Sequence, residues 1–175
     1  MRYSLLERYS VSNGCGIRTV LWVQGCRWHC KGCHNPQTWS FDGGFEFTDE
    51  TLQKLLDSLD SKFISGLTLS GGHPLEPENL EDVFKIICEV KSKFPDKTIW
   101  LYTGNTLSYE NFDTSLKQNE NSIYHKILVN CDVIVDGPYI EEQRDLRLKY
   151  CGSKNQRVID VEETLNWGEI FLLKE

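Results

Sequence analysis

Three cysteines lie within eight residues in a C-x3-C-x2-C arrangement, and this arrangement constrains the chain more than any other feature of its sequence. They are Cys26, Cys30 and Cys33, and they follow an apolar, β-branched run over residues 19–23. Thiolates select zinc, copper(I) or iron–sulfur clusters, because these are soft metal centres. A short loop after a strand can bring three thiolates to one such centre. The sequence therefore predicts a metal site in this loop and leaves the fourth ligand open.

The length and charge of the chain exclude several classes of protein. At 175 residues the chain is predicted to form one domain, residues 1–175, with a buried core. Its formal net charge is -7, and no block of Lys or Arg stands out. A basic patch is the usual mark of a surface for nucleic acid or anionic lipid. The sequence thus predicts neither a nucleic acid nor a membrane as partner.

The N-terminal residues contain no apolar signal core, and no later stretch is long enough to span a bilayer. We therefore expect a cytoplasmic protein, in a compartment where thiols stay reduced. The seven cysteines are then metal ligands or small buried hydrophobes rather than members of disulfides. Cys88 and Cys131 are expected in the core, and no role is assigned to Cys15 or Cys151.

Short β-branched runs alternate with amphipathic helical patterns along the chain. The first helix is predicted to be capped by Thr48 or Asp49, because the leucines that follow recur at helical spacing: Leu52, Leu55, Leu56 and Leu59. A second amphipathic helix is predicted between Pro77 and Pro95, and a short one near Ile123. The predicted strands cover residues 19–23, 66–70, 98–102, 132–135 and 157–160, with a further one in the tail at residues 170–173.

Alternating strands and helices predict parallel βαβ units. In parallel α/β architectures the loops that follow the strands lie on one edge, where ligands bind. The chain is too short for an eight-stranded barrel, so the predicted fold class is α/β, a partial, open (β/α) barrel of parallel strands. Four of these loops contain glycine, and they are expected to be neighbours in space: Gly25-Cys26, Ser70-Gly71-Gly72, Thr103-Gly104 and Asp136-Gly137.

Two metal sites other than an open cluster are compatible with three cysteines. A structural zinc site needs four protein ligands, and Cys15, His29 or His34 could supply the fourth. Zinc modules, however, usually present two separated ligand pairs. A ferredoxin-type cluster needs a further nearby cysteine, usually followed by proline, whereas residues 34–36 read His-Asn-Pro. Three cysteines leave one iron of a four-iron cluster without a protein ligand. An open metal position is a place for a substrate to bind.

The cysteine spacing after a strand is typical of radical S-adenosylmethionine (radical SAM) enzymes. The sequence resembles the activating proteins of anaerobic (class III) ribonucleotide reductase, a family within that superfamily. The Gly-Ser-x-Asn-Gln element at residues 152–156 favours this family over other radical SAM activases. The similarity covers residues 11–14, 25–39, 67–74, 99–104, 132–139 and 152–157.

The resemblance implies a [4Fe-4S] cluster, one per chain, with three cysteine ligands. Cys26, Cys30 and Cys33 would be these ligands and the catalytic centre, and the unique iron would bind the amino and carboxylate groups of SAM. The residues that would bind this cofactor are Gly32, Cys33, His34, Gly71, Gly72, His73 and Thr103.

His73 departs from the family pattern, which usually has Asp or Glu before Pro74. A carboxylate there would accept a hydrogen bond from the amino group of SAM. Neutral histidine accepts through one ring nitrogen, and protonated histidine cannot accept. Either His73 substitutes as a neutral acceptor, or other groups hold the amino group. His34 likewise stands where the family often has tyrosine.

The resemblance further implies an oxidoreductase similar to the formate C-acetyltransferase-activating enzyme. An external one-electron donor, such as a flavodoxin, would reduce the cluster, and reductive cleavage of SAM would generate a glycyl radical on the large subunit of the anaerobic reductase. The polar segment 137–155 is predicted to dock that partner.

The alternatives are an activase of another glycyl radical enzyme, a small-molecule radical SAM enzyme such as a deazaguanine synthase, a zinc-stabilised interaction module, and an electron carrier with a fully ligated cluster.

Overall fold

The computed structural model describes residues 1–174, which form a seven-stranded mixed sheet with four α-helices. Three short 3-10 helices lie in the loops. The strands are β1 (Arg2–Ser10), β2 (Ile17–Val23), β3 (Phe45–Glu46), β4 (Ile64–Gly71), β5 (Thr98–Tyr102), β6 (Val133–Asp136) and β7 (Arg157–Asp160). The helices are α1 (Asp49–Leu59), α2 (Leu80–Lys93), α3 (Ile123–Asn130) and α4 (Val161–Trp167).

The sheet order is β3-β1-β2-β4-β5-β6-β7. The four central strands β2, β4, β5 and β6 are parallel, as the alternation of strands and helices predicts. The outer strands β1, β3 and β7 pair antiparallel with their neighbours. The chain is thus a mixed α/β fold with a parallel centre, and closure of the sheet into a partial barrel stays a prediction.

Several predictions about the edges of the sheet are wrong. Strands β1 and β3 were not predicted, and neither was α4. The prediction of parallel strands fails for β7, because residues 137–156 return the chain to the sheet without an α-helix, so that β7 runs against β6. The tail makes a single bridge, between Ile159 and Leu172, instead of a strand. Cys88 is exposed, whereas Cys131 is buried as expected.

The two faces of the central strands differ in chemistry, because successive side chains of a strand point to opposite faces. One face carries aliphatic residues such as Leu21, Leu69 and Leu101, which pack in one core with the apolar stripes of α1 and α2. The opposite face carries Arg18, Thr68, Trp100 and Tyr102 among others. An aliphatic core under the helices therefore leaves the other face free for polar and aromatic groups.

The local signals for helix α1 behave as predicted. Thr48 is its N-cap, and the Thr48 side chain accepts a hydrogen bond from the backbone N–H of Thr51. The four predicted leucines are all buried. Within residues 1–174, no helix has both the length and the apolar character needed to cross a membrane.

Candidate functional site

A cavity of about 420 Å³ lies at the carboxyl edge of the parallel strands. This volume is typical of pockets for small molecules and cofactors. The loops that follow β2, β4, β5 and β6 all contribute to its wall, so the glycine-containing loops are neighbours as expected. The predicted site residues that line the cavity are Cys26, Cys30, Cys33, His34, Gly71, Gly72, His73 and Thr103.

Gly32 is the one predicted site residue that is not part of this wall. It has φ +74°, and a Cβ built on it would lie 2.1 Å from Oε2 of Glu141. The Tyr139 ring lies just beyond, and its hydroxyl donates to the same carboxylate at 2.6 Å. Glycine at this position therefore lets the segment after β6 approach the cysteine loop closely.

Backbone hydrogen bonds hold the start of the cysteine loop. The N–H of Gly25 donates to the carbonyl of Thr38 at 2.9 Å, and the N–H of Cys26 donates to that of Trp39 at 3.1 Å. At the end of the loop, the N–H of Cys33 donates to the carbonyl of Cys30 at 3.0 Å. The first cysteine is thus anchored to the chain that follows the loop, and the other two share a tight turn.

The cysteine sulfur atoms have hydrogen-bond donors of the kind that stabilise thiolates. Backbone N–H groups of Trp28 and His29 bond to the sulfur of Cys26, and the N–H of Asn35 donates to Sγ of Cys33 at 3.4 Å. Burial raises the pKa of Cys26 and outweighs these bonds. A bound cation would reverse that balance, since a metal deprotonates its thiol ligands.

The chemistry of this donor set fits a soft metal centre. Three thiols border one cavity, amide donors point at two of them, and the loop supplies no fourth cysteine. Within the part of the chain that the structure describes, no three His, Cys, Asp or Glu side chains meet the geometry of a metal site. The fold brings Cys26, Cys30 and Cys33 to one cavity, but their sulfur atoms do not meet at a common point.

The pair Gly71-Gly72 is required by the protein backbone itself. A Cβ on Gly71, which has φ +104°, would lie 2.7 Å from the nitrogen of Val23. A Cβ on Gly72 would lie 2.6 Å from the carbonyl oxygen of Gly25. The two glycines let the end of β4 pack against the start of the cysteine loop. They also leave backbone exposed in the cavity wall, which is how glycine serves a bound ligand.

His73 is buried beside polar groups from two other positions. Its Nε2 lies 2.8 Å from Oγ1 of Thr103, at the end of β5, and its Nδ1 lies 3.4 Å from Oε1 of Glu76. Burial lowers the pKa of His73 below its ordinary value, so the ring is neutral near pH 7.

Glu76 connects this histidine to the cysteine loop. Its Oε1 accepts from the backbone N–H of Arg27 at 2.8 Å, and its Oε2 accepts from the Arg27 guanidinium at 2.5 Å. The same guanidinium pairs with Glu78. Burial alone would raise the pKa of Glu76, but the bonds from Arg27 outweigh it and hold that pKa below its ordinary value. No role is predicted for Glu76 from the sequence, because its burial and its contacts with Arg27 and His73 arise only in the fold.

Two aromatic contacts shield the cysteine loop. A Cβ on Gly104 would lie 2.7 Å from the Trp28 ring, so the indole covers the loop after β5. The His29 ring stacks on Trp39 with 4.5 Å between the ring centroids. His29 has φ 44°, a left-handed conformation that is uncommon for residues other than glycine.

The Gly-Ser-x-Asn-Gln element holds the turn after β6, which is part of the cavity wall, through side-chain hydrogen bonds. The Asn155 amide donates to the carbonyl of Pro138 at 2.8 Å, and the Gln156 amide donates to that of Gly137 at 3.0 Å. Gln156 Oε1 in turn accepts from the backbone N–H of Gly152 at 2.8 Å. These side chains replace backbone pairing for the turn after β6, which explains why amides occur at this spacing.

A family model described as "4Fe-4S single cluster domain" matches residues 12–159. The chain is 40% identical over 158 residues to the anaerobic ribonucleoside-triphosphate reductase-activating protein of Vibrio cholerae, covering 89% of this chain and 96% of that protein. It is also 40% identical to the protein of that name from Enterobacteria phage T4, over 90% of this chain and 93% of the relative. The Haemophilus influenzae protein of that name is again 40% identical, over 89% and 96%. The chain therefore belongs to the family of anaerobic ribonucleoside-triphosphate reductase-activating proteins, and its residues 12–159 match a 4Fe-4S single-cluster domain.

Proposed function

We propose that this chain is a radical SAM activase that generates the glycyl radical of an anaerobic ribonucleoside-triphosphate reductase. The observation that carries the proposal is the common cavity of Cys26, Cys30 and Cys33, at the carboxyl edge of parallel strands in a chain of this family. Three thiols with no fourth cysteine in the loop suit a [4Fe-4S] cluster that keeps one iron open.

The proposed cofactor site uses the residues around that cavity. Cys26, Cys30 and Cys33 would hold the cluster, and SAM would lie against Cys33, His34, His73, Thr103 and the backbone of Gly71 and Gly72. Gly32 would support this site from behind the cavity wall. When bound, the cluster and SAM supply the one-electron reductive cleavage that yields a radical able to take a hydrogen atom from a glycine of the reductase.

The residues of the chain orient the cofactors and exclude water. Trp28 covers Gly104, and His29 stacks on Trp39, so aromatic surface borders the loop that carries the cysteines. The amide donors to the sulfur atoms of Cys26 and Cys33 stabilise thiolate ligation. No proton has to be moved by a side chain in this reaction, which agrees with a cavity wall rich in glycine and aromatic residues.

The segment 137–155 is proposed to dock the reductase, because it borders the same cavity. Leu148 and Tyr150 belong to the cavity wall. Leu146, two residues before Leu148, is 83% exposed. Arg144 and Arg147 are exposed in the same segment. The electron would come from an external one-electron donor such as a flavodoxin, in the cytoplasm.

Anaerobic reconstitution tests the function. The expected protein is brown, holds about four irons per chain and cleaves SAM to 5′-deoxyadenosine when reduced. Co-incubation with the anaerobic reductase should then give a glycyl-radical EPR signal that requires SAM and reductant. A colourless protein with one zinc would overturn the proposal in favour of an interaction module. Cleavage of SAM without a radical on the reductase would overturn the assignment of the partner.

A further inference from the structure

The two ring nitrogens of His73 face different oxygen atoms, so the position of the ring proton matters. His73 is 5% exposed. Its Nε2 lies 2.8 Å from Thr103 Oγ1, whereas its Nδ1 lies 3.4 Å from Glu76 Oε1 and, within residues 1–174, has no hydrogen bond of standard geometry. A neutral imidazole has one donor nitrogen and one acceptor nitrogen, and its neighbours decide which is which.

The position of Glu76 favours a proton on Nδ1 of His73. Its pKa is held below the ordinary value by Arg27, so the group is a carboxylate and accepts only. A bare lone pair on Nδ1 would face that carboxylate and be repelled. The Nδ1–H tautomer instead points a donor at Glu76 Oε1 and leaves Nε2 as the acceptor.

Thr103 agrees with the same tautomer from the other side. Its Oγ1 already accepts a hydrogen bond from the backbone N–H of Asn105 at 3.1 Å. The hydroxyl proton is then available to donate to Nε2 of His73. In this arrangement each group in the series from Asn105 to Glu76 donates a hydrogen bond to the next one. A proton on Nε2 would instead leave the unprotonated Nδ1 facing the Glu76 carboxylate.

We propose that Glu76 is a positioning residue, which fixes the Nδ1–H tautomer of His73 so that Nε2 is an acceptor; the Thr103 hydroxyl occupies this acceptor in the structure, and the amino group of SAM would replace that hydroxyl on binding. The inference rests on the proposed function, since SAM is the ligand it names. Position 73 lacks the carboxylate that would accept this bond directly. The buried Glu76 carboxylate, which Arg27 holds beside the cysteine loop, accepts from Nδ1–H of the imidazole and thereby leaves Nε2 as the acceptor.

The affinity for SAM, measured by equilibrium dialysis on the reconstituted protein, tests this role. Glu76→Gln should weaken binding about tenfold, the size of one lost hydrogen bond to a charged group. In a His73→Asp background the same substitution should no longer weaken binding, because a carboxylate needs no tautomer. The matched control is Glu78→Gln, which removes the other carboxylate on Arg27 and does not contact His73; it should change affinity less than twofold.

A loss of affinity from Glu76→Gln that persists in the His73→Asp background would overturn the inference, because a general structural or charge effect would then be responsible. A direct readout is the imidazole 15N spectrum of histidine-labelled protein with its cluster oxidised. The His73 signal should report a protonated Nδ1 in the native chain and shift in Glu76→Gln; a protonated Nε2 in the native chain would also overturn it. If the native chain binds no SAM, the proposed function fails, whereas native binding without these shifts refutes the role of Glu76 alone.

Discussion

Asp136, buried at the end of β6, pairs with Arg157 at the start of the antiparallel strand β7. The guanidinium Nε donates to Asp136 Oδ1 at 3.0 Å, and a second nitrogen of the guanidinium contacts Oδ2. The backbone of Leu107 joins both partners: its N–H donates to Oδ2 at 2.9 Å, and its carbonyl accepts from the guanidinium at 2.7 Å. This pair therefore ties β7 and the loop after β5 to the strand end that borders the cavity.

Replacing Arg157 with methionine should destabilise the fold, because Asp136 would remain as a buried charge without its cation. We expect a loss of about 2–3 kcal/mol in the free energy of unfolding, below the cost of breaking a fully buried pair because the Arg157 side chain is partly exposed. Anaerobic urea denaturation measures it. Arg147→Met is the matched control: the Arg147 side chain is 86% exposed, and Asp145 keeps Lys154 at 3.8 Å as a second cation, so we expect a much smaller change. Equal effects of the two substitutions would contradict the argument.

Arg18 is predicted to be a structural cation near the amino end of β2, where it bonds to β4 and β5. It is fully buried, and desolvation lowers its pKa to about 10. Its guanidinium donates to Thr68 Oγ1 at 2.8 Å, to Thr98 Oγ1 at 2.9 Å and to the carbonyl of Leu67 at 2.6 Å. Arg18→Met would leave Thr68 Oγ1 and the carbonyl of Leu67 buried without this donor, so the free energy of unfolding should fall by about 2–4 kcal/mol. The exposed Arg8→Met on β1 is the control, and an Arg18→Met protein as stable as this control would refute the role.

Gly72 is predicted to be indispensable for the cysteine loop. A Cβ there meets backbone carbonyl oxygens that cannot move aside, that of Gly25 at 2.6 Å and that of Thr38 at 2.9 Å. Gly72→Ala should cost about 1–3 kcal/mol of stability and lower the iron content after reconstitution. Gly43→Ala is the control: its Cβ meets the end of the Gln24 side chain at 2.1 Å, so a side chain has to shift and not the backbone of the cysteine loop. Normal iron content in Gly72→Ala would show that the loop tolerates the shift.

The sequence predicts the parallel centre of the fold and the shared edge of its glycine-containing loops well, because both follow from the alternation of strand and helix patterns. The leucine spacing predicted α1, and the glycine-containing loops after four strands predicted a shared edge. Strand β1 was missed because its pairing with β2 shifts register twice, so its side chains do not alternate cleanly between buried and exposed. Its partner β3 is only two residues long.

Helix α4 was missed although it carried local signals. Asp160 caps it through the N–H of Glu163, and Gly168 ends it in a left-handed conformation. The contacts of Glu76 could not be predicted at all, because they join residues that are far apart in the chain and depend on a buried carboxylate meeting Arg27 and His73. Non-local polar contacts leave no periodic trace in a sequence.

Serine substitutions should distinguish the cysteines that bind the cluster from those that do not. Cys26→Ser, Cys30→Ser and Cys33→Ser are each expected to lose most of the bound iron, since a cluster with two remaining thiolates is poorly held. Cys151→Ser is the sharpest control, because Cys151 lines the same cavity while burial raises its pKa to about 11. It should keep full iron content, measured by iron and sulfide analysis. Loss of iron in Cys151→Ser would identify it as a fourth ligand and remove the open iron.

The segment 137–155 should matter for the reductase and not for SAM. Arg144→Glu combined with Leu146→Asp changes two exposed residues beside the cavity, so we expect at least tenfold slower radical formation on the reductase, the equivalent of about 1.4 kcal/mol of docking energy. Cleavage of SAM in the absence of the reductase should be unchanged, because neither side chain lines the cavity. Lys62→Glu combined with Phe63→Asp is the matched control: both residues are exposed and precede β4, at the amino edge opposite the cavity. EPR of the glycyl radical against time measures the rate, and equal rates for the two double variants would place the docking surface elsewhere.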